Sequence, residues 1–493
     1  MPRYGVFEQM LGWKGAAANP WEDVSARVTL VSPSRRTIAI DGFYDGAGRW
    51  RFRFAPTEVG AWRWTAEVGT KSQRATYRGR FLVVKSGSPG IVRRSPSNPF
   101  RWVFTDGSPY YPIGLNDCTT QNNTYSPLAK WGFDGGFRPP GQHQGWFVSM
   151  PVYMRAYSRA GFNLFRWGPD NCSFSLYDRI SPDGNVYSAF GGHFADLLFQ
   201  TLRRHGFRIE MVLFGADPPP YADGGNAAGL QAVARYARYV VARWGAYVDF
   251  WELMNESTAD QRWYEAVLAA IRQTDPYRHP IGTNYTRTSG FDFSTEHWYQ
   301  KEDAHESDTL TWQHLQGAQV RDLRRPLLVD EQGNSGQNWD PGSALRMRIR
   351  SWTAFFAEGT FVFWNTSAAK DYKGGAANIY LGPLERSYVR VLQTFTRGFD
   401  ARASISQPNV SPGNAVRAYG LRGPRGYALY LVATGDRNAV TAGVRVAVEP
   451  ERVGTGRWID PASGRIVGTV RLKPGKQTVT VPPFLVDLAL ELR

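Results

Sequence analysis

Cysteine is the scarcest reactive residue in this chain: 493 residues hold only Cys118 and Cys172. Two thiols cannot staple a disulfide scaffold, and a Cys-rich metal module is excluded with it. Both cysteines fall just past neighbouring strand candidates, so one disulfide and two free thiols are both compatible with the sequence. Histidine is sparse too. Its seven copies are scattered, without a His-Glu-x-x-His or Cys/His spacing, so no metal is expected. No apolar run approaches the ~20 residues of a membrane-spanning helix, and no membrane partner is expected. Met1-Pro2-Arg3-Tyr4 lacks the apolar core of a secretory signal, which leaves secretion unsignalled and localisation open. Runs of one charge sign are missing as well. The net charge is +15, yet arginine is dispersed and occurs only in pairs such as Arg35-Arg36, Arg203-Arg204 and Arg324-Arg325. A nucleic-acid-binding protein gathers its basic residues into a patch, so no nucleic acid is expected either. Low-complexity segments and internal repeats are absent.

What the chain has in quantity is aromatic side chains: 18 Trp, 24 Tyr and 28 Phe. Sugars stack their C–H faces on such rings, and packed β-sandwiches are rich in them too. The composition therefore admits a glycan binder without singling one out. The solvated basic surface fits an acidic substrate such as a uronic-acid polymer. At this length, one large core and two small ones are possible. Oligomeric state is not legible.

Hydrophobic periodicity divides the chain in three. Residues 1–88 read as a β-sandwich, with short strands at 26–31, 37–40, 50–54, 61–66 and 79–84, and Gly42-Phe43-Tyr44-Asp45-Gly46 as a turn. Residues 89–400 alternate strands with helices. Strand candidates are 111–116, 162–168, 207–215, 248–256, 280–286, 293–299, 327–331 and 360–365, with helices expected between them. Met150, Tyr153, Met154 and Tyr157 fall on one helical face; so do Phe194, Leu197, Leu198 and Leu202, and again Leu230, Val233, Ala237, Val241 and Trp244. Asp340-Pro341 reads as an N-cap with proline at the first helical position. Eight such repeats predict an α/β fold, a (β/α)8 TIM barrel. Residues 401–493 return to short strands and Gly/Pro turns, a second β-sandwich. The loop 117–146 is too long for a plain connection and is expected to cover the barrel mouth.

Chemistry-bearing residues collect at the predicted strand tips. Strand four ends in Met254-Asn255-Glu256, an amide and a carboxylate where a barrel carries its active site. A lone Asn-Glu reads more readily as a cap of the next helix than as a catalytic pair, so the other tips decide. Strand seven ends in Asp330-Glu331-Gln332-Gly333, strand six in His297-Trp298-Tyr299 and strand eight in Trp364-Asn365; strand two brings Arg166 and strand one Asn116. Cleaving a glycosidic bond requires two carboxyl groups flanking it, one protonated and one ionised. Strand alternation turns Asp330 away from Glu331. Glu252 shares a face with Glu256 but lies roughly 13 Å lower, and is expected as a buried partner of Arg166. Arg166 holds either carboxylates or substrate, and His297 donates either to a sugar hydroxyl or to a carboxylate.

These residues carry a resemblance. Asn255-Glu256 and Glu331-x-Gly333 resemble the clan of retaining (β/α)8 glycoside hydrolases with catalytic glutamates on strands four and seven. Arg166, His297-x-Tyr299 and Trp364 match the supporting set of its cellulase- and mannanase-like branch. That branch has a His near the end of strand three, where this chain reads Phe214-Gly215-Ala216-Asp217. Gly42-Phe43-Tyr44-Asp45-Gly46 with Arg51-Phe52 and Trp62, and Trp458-Ile459-Asp460-Pro461 with Phe484 and Asp487–Leu490, look like the domains bracketing a group of bacterial glycosidases. The C-terminal domain of that group is collagen-binding-like. The resemblance implies Glu256 as acid/base, Glu331 as nucleophile, a carbohydrate substrate, Trp364 as a stacking floor and no cofactor. The alternatives are a catalytically silent carbohydrate-binding or scaffold protein on the same fold, and a transglycosylase using the same site.

Overall fold

The computed structural model describes residues 1–116, 132–134, 147–170, 173–215, 218–285, 288–299, 306–317, 321, 323–333, 343–363 and 383–493, with backbone alone for 132–134, 147–153, 343 and 383. Asp117, Cys118, Cys172, the 340–341 cap, Trp364 and Asn365 lie outside these residues. So does most of the 117–146 loop, apart from a short antiparallel pairing of Gly132–Asp134 with Phe147–Ser149.

Eight strands build the central sheet: β1 (Gly114–Asn116), β2 (Leu164–Trp167), β3 (Arg208–Phe214), β4 (Phe250–Met254), β5 (Ile281–Gly282), β6 (Ser294–Tyr299), β7 (Leu327–Gly333) and β8 (Gly359–Phe363). Their order is β5-β4-β3-β2-β1-β8-β7-β6, so sequence neighbours β5 and β6 close the series, as in a nearly closed TIM barrel. Ladder pairs such as β3–β4 and β7–β8 are parallel. The reason is visible in composition: β4 and β7 are buried at every residue, as parallel strands covered on both faces must be. Helices α1 (Met150–Arg159), α2 (Ala189–Arg204), α3 (Ala227–Trp244), α4 (Gln261–Thr274), α5 (Ser307–Leu315), α6 (Ser343–Phe356) and α7 (Pro383–Thr396) alternate with the strands. One expected helix is missing: between β5 and β6 the described residues hold none. That connection has no apolar period, Gly290 adopts φ 98° and Tyr285 φ 51°, and the buried Asn284 is committed elsewhere.

Separate antiparallel sheets lie at each end of the chain. At the N-terminus, Thr37–Asp41, Ser25–Val31, Gly60–Gly69 and Arg74–Val83 form one sheet, and Phe7–Gly12, Arg49–Phe54 and Phe43–Gly46 a second. Their facing sides bury Leu30, Trp50, Phe52, Trp62 and Val68. The turn expected at residues 42–46 is largely strand, because it pairs with Arg49–Phe54 through a register shift between Tyr44 and Gly46. At the C-terminus a six-stranded sheet faces a three-stranded one over Leu429, Leu431, Val446, Trp458 and Leu490.

The chain divides into two compact units, Met1–Val92 with Trp167–Phe291, and Arg93–Arg166 with Asp292–Arg493. Inside the first, Asp196 on α2 accepts from Arg53 at 2.6 and 2.8 Å, from Arg243 at 2.9 Å and from the Trp244 indole at 2.8 Å. A Cβ on Gly192 would sit 2.6 Å from the Arg243 guanidinium, so this helical glycine makes room for the ion pair. Burial alone would raise the Asp196 carboxyl, but Arg243 and Arg53 outweigh it and hold the group down at about 2. Inside the second unit, Arg348 on α6 pairs with buried Asp487 at 2.9 Å, and Tyr430 donates to the same carboxylate.

Candidate active site

In the second unit the site grows from β7. Its run Leu327-Leu328-Val329 is buried on both faces and delivers Asp330 and Glu331 toward the C-terminal end. Along the β6 ladder Glu296 pairs with Val329, but His297 pairs with Glu331, so Asp330 is an inserted residue. A bulge breaks alternation and re-aims side chains. This corrects the expectation that Asp330 points away from Glu331: both acids reach the same guanidinium. Arg166 Nε lies 3.2 Å from Asp330 Oδ2, and its Nη1 donates to Glu331 Oε1 at 3.0 Å. His297 is placed between the same two acids, Nδ1 at 3.3 Å from Glu331 Oε2 and Nε2 at 3.6 Å from Asp330 Oδ1. The Tyr299 hydroxyl donates to Glu331 Oε2. All five side chains come from three strand tips and are buried or nearly so. Asn116, buried at the end of β1, pairs in register with Arg166. Asp330 and Glu331 are thus two acids that Arg166 holds.

In the first unit β4 carries Asn255 and Glu256 just beyond its last residue. The Asn255 N–H donates to the Phe214 carbonyl at 3.0 Å, which extends the β3–β4 ladder by one step. Glu256 is exposed and left-handed, with φ 46°. A non-glycine residue there costs on the order of 1–2 kcal/mol, so the surroundings must impose it. One constraint is visible: the Glu256 N–H donates to Asn284 Oδ1 at 3.3 Å. Sequence reasoning missed Asn284, although it is a polar residue just past a short apolar strand, the pattern used for the other tips. Glu252 and Glu210 are fully buried lower on β4 and β3, with carboxylate oxygens within 4.8 Å.

The tip of β3 has its own constraint. A Cβ on Gly215 would lie 1.6 Å from the Pro169 carbonyl oxygen, so the backbone after β2 fills the space where a side chain would start. Asp170 follows in the same turn with φ 60°, and burial pushes its carboxyl up against the opposing hydrogen bond from Ser175.

A family described as "Domain of unknown function (DUF5060)" matches residues 1–69. No curated protein matches the chain. Among solved structures, one from Bacteroides vulgatus ATCC 8482, provisionally called a glycoside hydrolase, is similar over 100% of this chain and 99% of its own, with 17% identity and a TM-score of 0.67. A glycoside hydrolase family 5 structure from the same organism covers 82% of this chain and 93% of its own, with 12% identity and a TM-score of 0.50. The fold neighbours of this chain are thus glycoside hydrolases; at such identities the likeness is one of fold.

Proposed function

We propose that the chain is a retaining glycoside hydrolase, acting on a poly- or oligosaccharide with Glu331 as nucleophile and Glu256 as acid/base, and needing no cofactor. The observation that carries this reading is the set of groups on Glu331: a guanidinium on one oxygen, a phenol hydroxyl on the other and an imidazole beside it. A nucleophilic carboxylate must be aimed, and these charge-assisted contacts fix the position of both its oxygens. The fold shared with glycoside hydrolases supports the class.

In the first step a Glu331 oxygen attacks the anomeric carbon as the glycosidic C–O bond breaks, and the leaving oxygen takes the proton of Glu256. The sugar is then an ester of Glu331. In the second step Glu256, now a carboxylate, takes a proton from water while the water oxygen attacks the anomeric carbon and Glu331 departs. Two inversions leave the configuration unchanged. In this reading Asn255 and Asn116 hold sugar hydroxyls, and Trp364 supplies a stacking floor.

A panel of aryl glycosides and polysaccharides, acidic ones included, identifies the sugar; variants then test the roles. Glu256→Ala should spare the first step for activated aryl leaving groups, accumulate the glycosyl-enzyme and be rescued by azide, giving a glycosyl azide of retained configuration. Glu331→Ala should abolish the first step for every leaving group, with any azide product inverted. The reverse pattern exchanges the two roles. Unchanged activity in both variants overturns the site.

A further inference from the structure

A cavity of about 820 Å³ opens inside the first unit, at the end of β3 opposite its tip. Its wall is formed by the first residues of the chain, the 86–89 segment, the last turn of α2, the start of β3 and Tyr247. Four arginines line it: Arg3, Arg203, Arg204 and Arg208. The acid in the wall, Glu8, already engages Arg53 at 2.6 Å and also Arg51. Behind the wall, buried Asp249 takes Arg203 at 2.8 Å and Arg208 at 3.0 Å, and these two guanidiniums keep its carboxyl low although burial opposes them. One carboxylate thus serves two cations. Arg204 bonds only to the Gln200 carbonyl at 3.3 Å and the Thr201 hydroxyl at 3.2 Å, with no carboxylate partner among the described residues. Arg3 lies over the Tyr4 ring at 5.0 Å, and its buried Nε has no hydrogen-bond partner among the described residues. Tyr4 itself is held left-handed, at φ 63°.

We infer that this cavity is a second binding site, for a saccharide bearing carboxylate or sulfate groups. The excess positive charge calls for an anion. Planar guanidiniums match carboxylate and sulfate oxygens two at a time. The volume lies in the range that encloses an organic ligand and far exceeds an isolated phosphate or sulfate. Pro2, Tyr4 and Val6 supply the apolar wall that a sugar ring, unlike a bare ion, can use. These residues belong to the region matched by the domain of unknown function, and the site would let that region anchor an anionic chain at a place other than the strand tips. The inference does not depend on Glu256 or Glu331.

Calorimetric titration of the full chain with an oligogalacturonate, a sulfated oligosaccharide, a neutral oligosaccharide of equal length and inorganic sulfate tests it. The anionic saccharides should bind, weaken as salt is raised, and bind undiminished to the Glu256→Ala/Glu331→Ala variant. Arg3→Ala/Arg204→Ala should weaken them at least tenfold. Arg204 is exposed, so Arg204→Glu provides a second variant should the first fail to fold, with the same loss expected. Equal binding of the neutral chain, binding of inorganic sulfate alone, equal binding of single-stranded nucleic acid, or affinity indifferent to both arginine variants would overturn the assignment.

Discussion

At the scale of single residues, Glu331 stands out for the number of groups that hold it. Tyr299→Phe keeps the ring and removes one donor from its carboxylate. If that donor steadies the nucleophile during attack, kcat should fall roughly tenfold to a hundredfold, about 1.4–2.7 kcal/mol, with KM little changed. Steady-state kinetics on an activated aryl glycoside reads the split; a change confined to KM would make Tyr299 a binding residue instead. Asp330→Asn asks a different question. Asp330 touches Arg166 and His297 on the side away from Glu331, so it acts through them as a positioning residue. Its loss should lower kcat by about tenfold and be partly restored by Asp330→Glu, a recovery that a purely packing role would not produce.

At the scale of elements, the eight strands were legible because each is a short apolar run that turns polar at its C-terminal end, and burial on both faces leaves little else possible for such a run. The helices were legible from Leu, Val and aromatic spacing. The acids, Arg166, His297 and Tyr299 were legible as tip residues. The bulge was not. Nothing in Leu-Leu-Val-Asp-Glu distinguishes a strand that alternates from one carrying an extra residue, since the partner strand's register decides it. The missing helix before β6 had the same character: the absence of a period was visible, but the use of Asn284 against Glu256 depends on tertiary contact. Gly215 gives a prediction here. Gly215→Ala places a methyl against a backbone carbonyl, so the tips of β2 and β3 must separate. Thermal unfolding should fall by several degrees, consistent with a cost of about 1–3 kcal/mol. A variant as stable as the parent would show that the 169–170 turn yields freely.

At the scale of the whole molecule, the buried Asp196 carboxylate ties stability to pH at the acid end. Asp196 titrates lower in the folded chain than the ordinary carboxylate near 3.9, so the stability it contributes is complete above that value. It is lost as pH falls from about 4 toward 2, and amounts to about 2–3 kcal/mol. Asp196→Asn should flatten this part of the acid-unfolding curve. Asp196→Ala removes the carboxylate that two buried guanidiniums share while leaving Arg53 its Glu8 and Arg243 its Asp45, and should cost about 1–3 kcal/mol at neutral pH, measured by denaturant titration. The same ion pair has a consequence for synthesis. The unit that contains it is stitched from residues 1–92 and 167–291, with an intervening stretch that belongs to the other unit. A ribosome adding about 5–20 residues per second presents Arg53 roughly 7–30 s before Asp196. For that interval the nascent N-terminal sheets show water, and any passing chaperone, the face that Asp196 and Arg243 later cover. Yield in a recombinant host should therefore follow the pace of translation across residues 93–195 more closely than the strength of the finished fold.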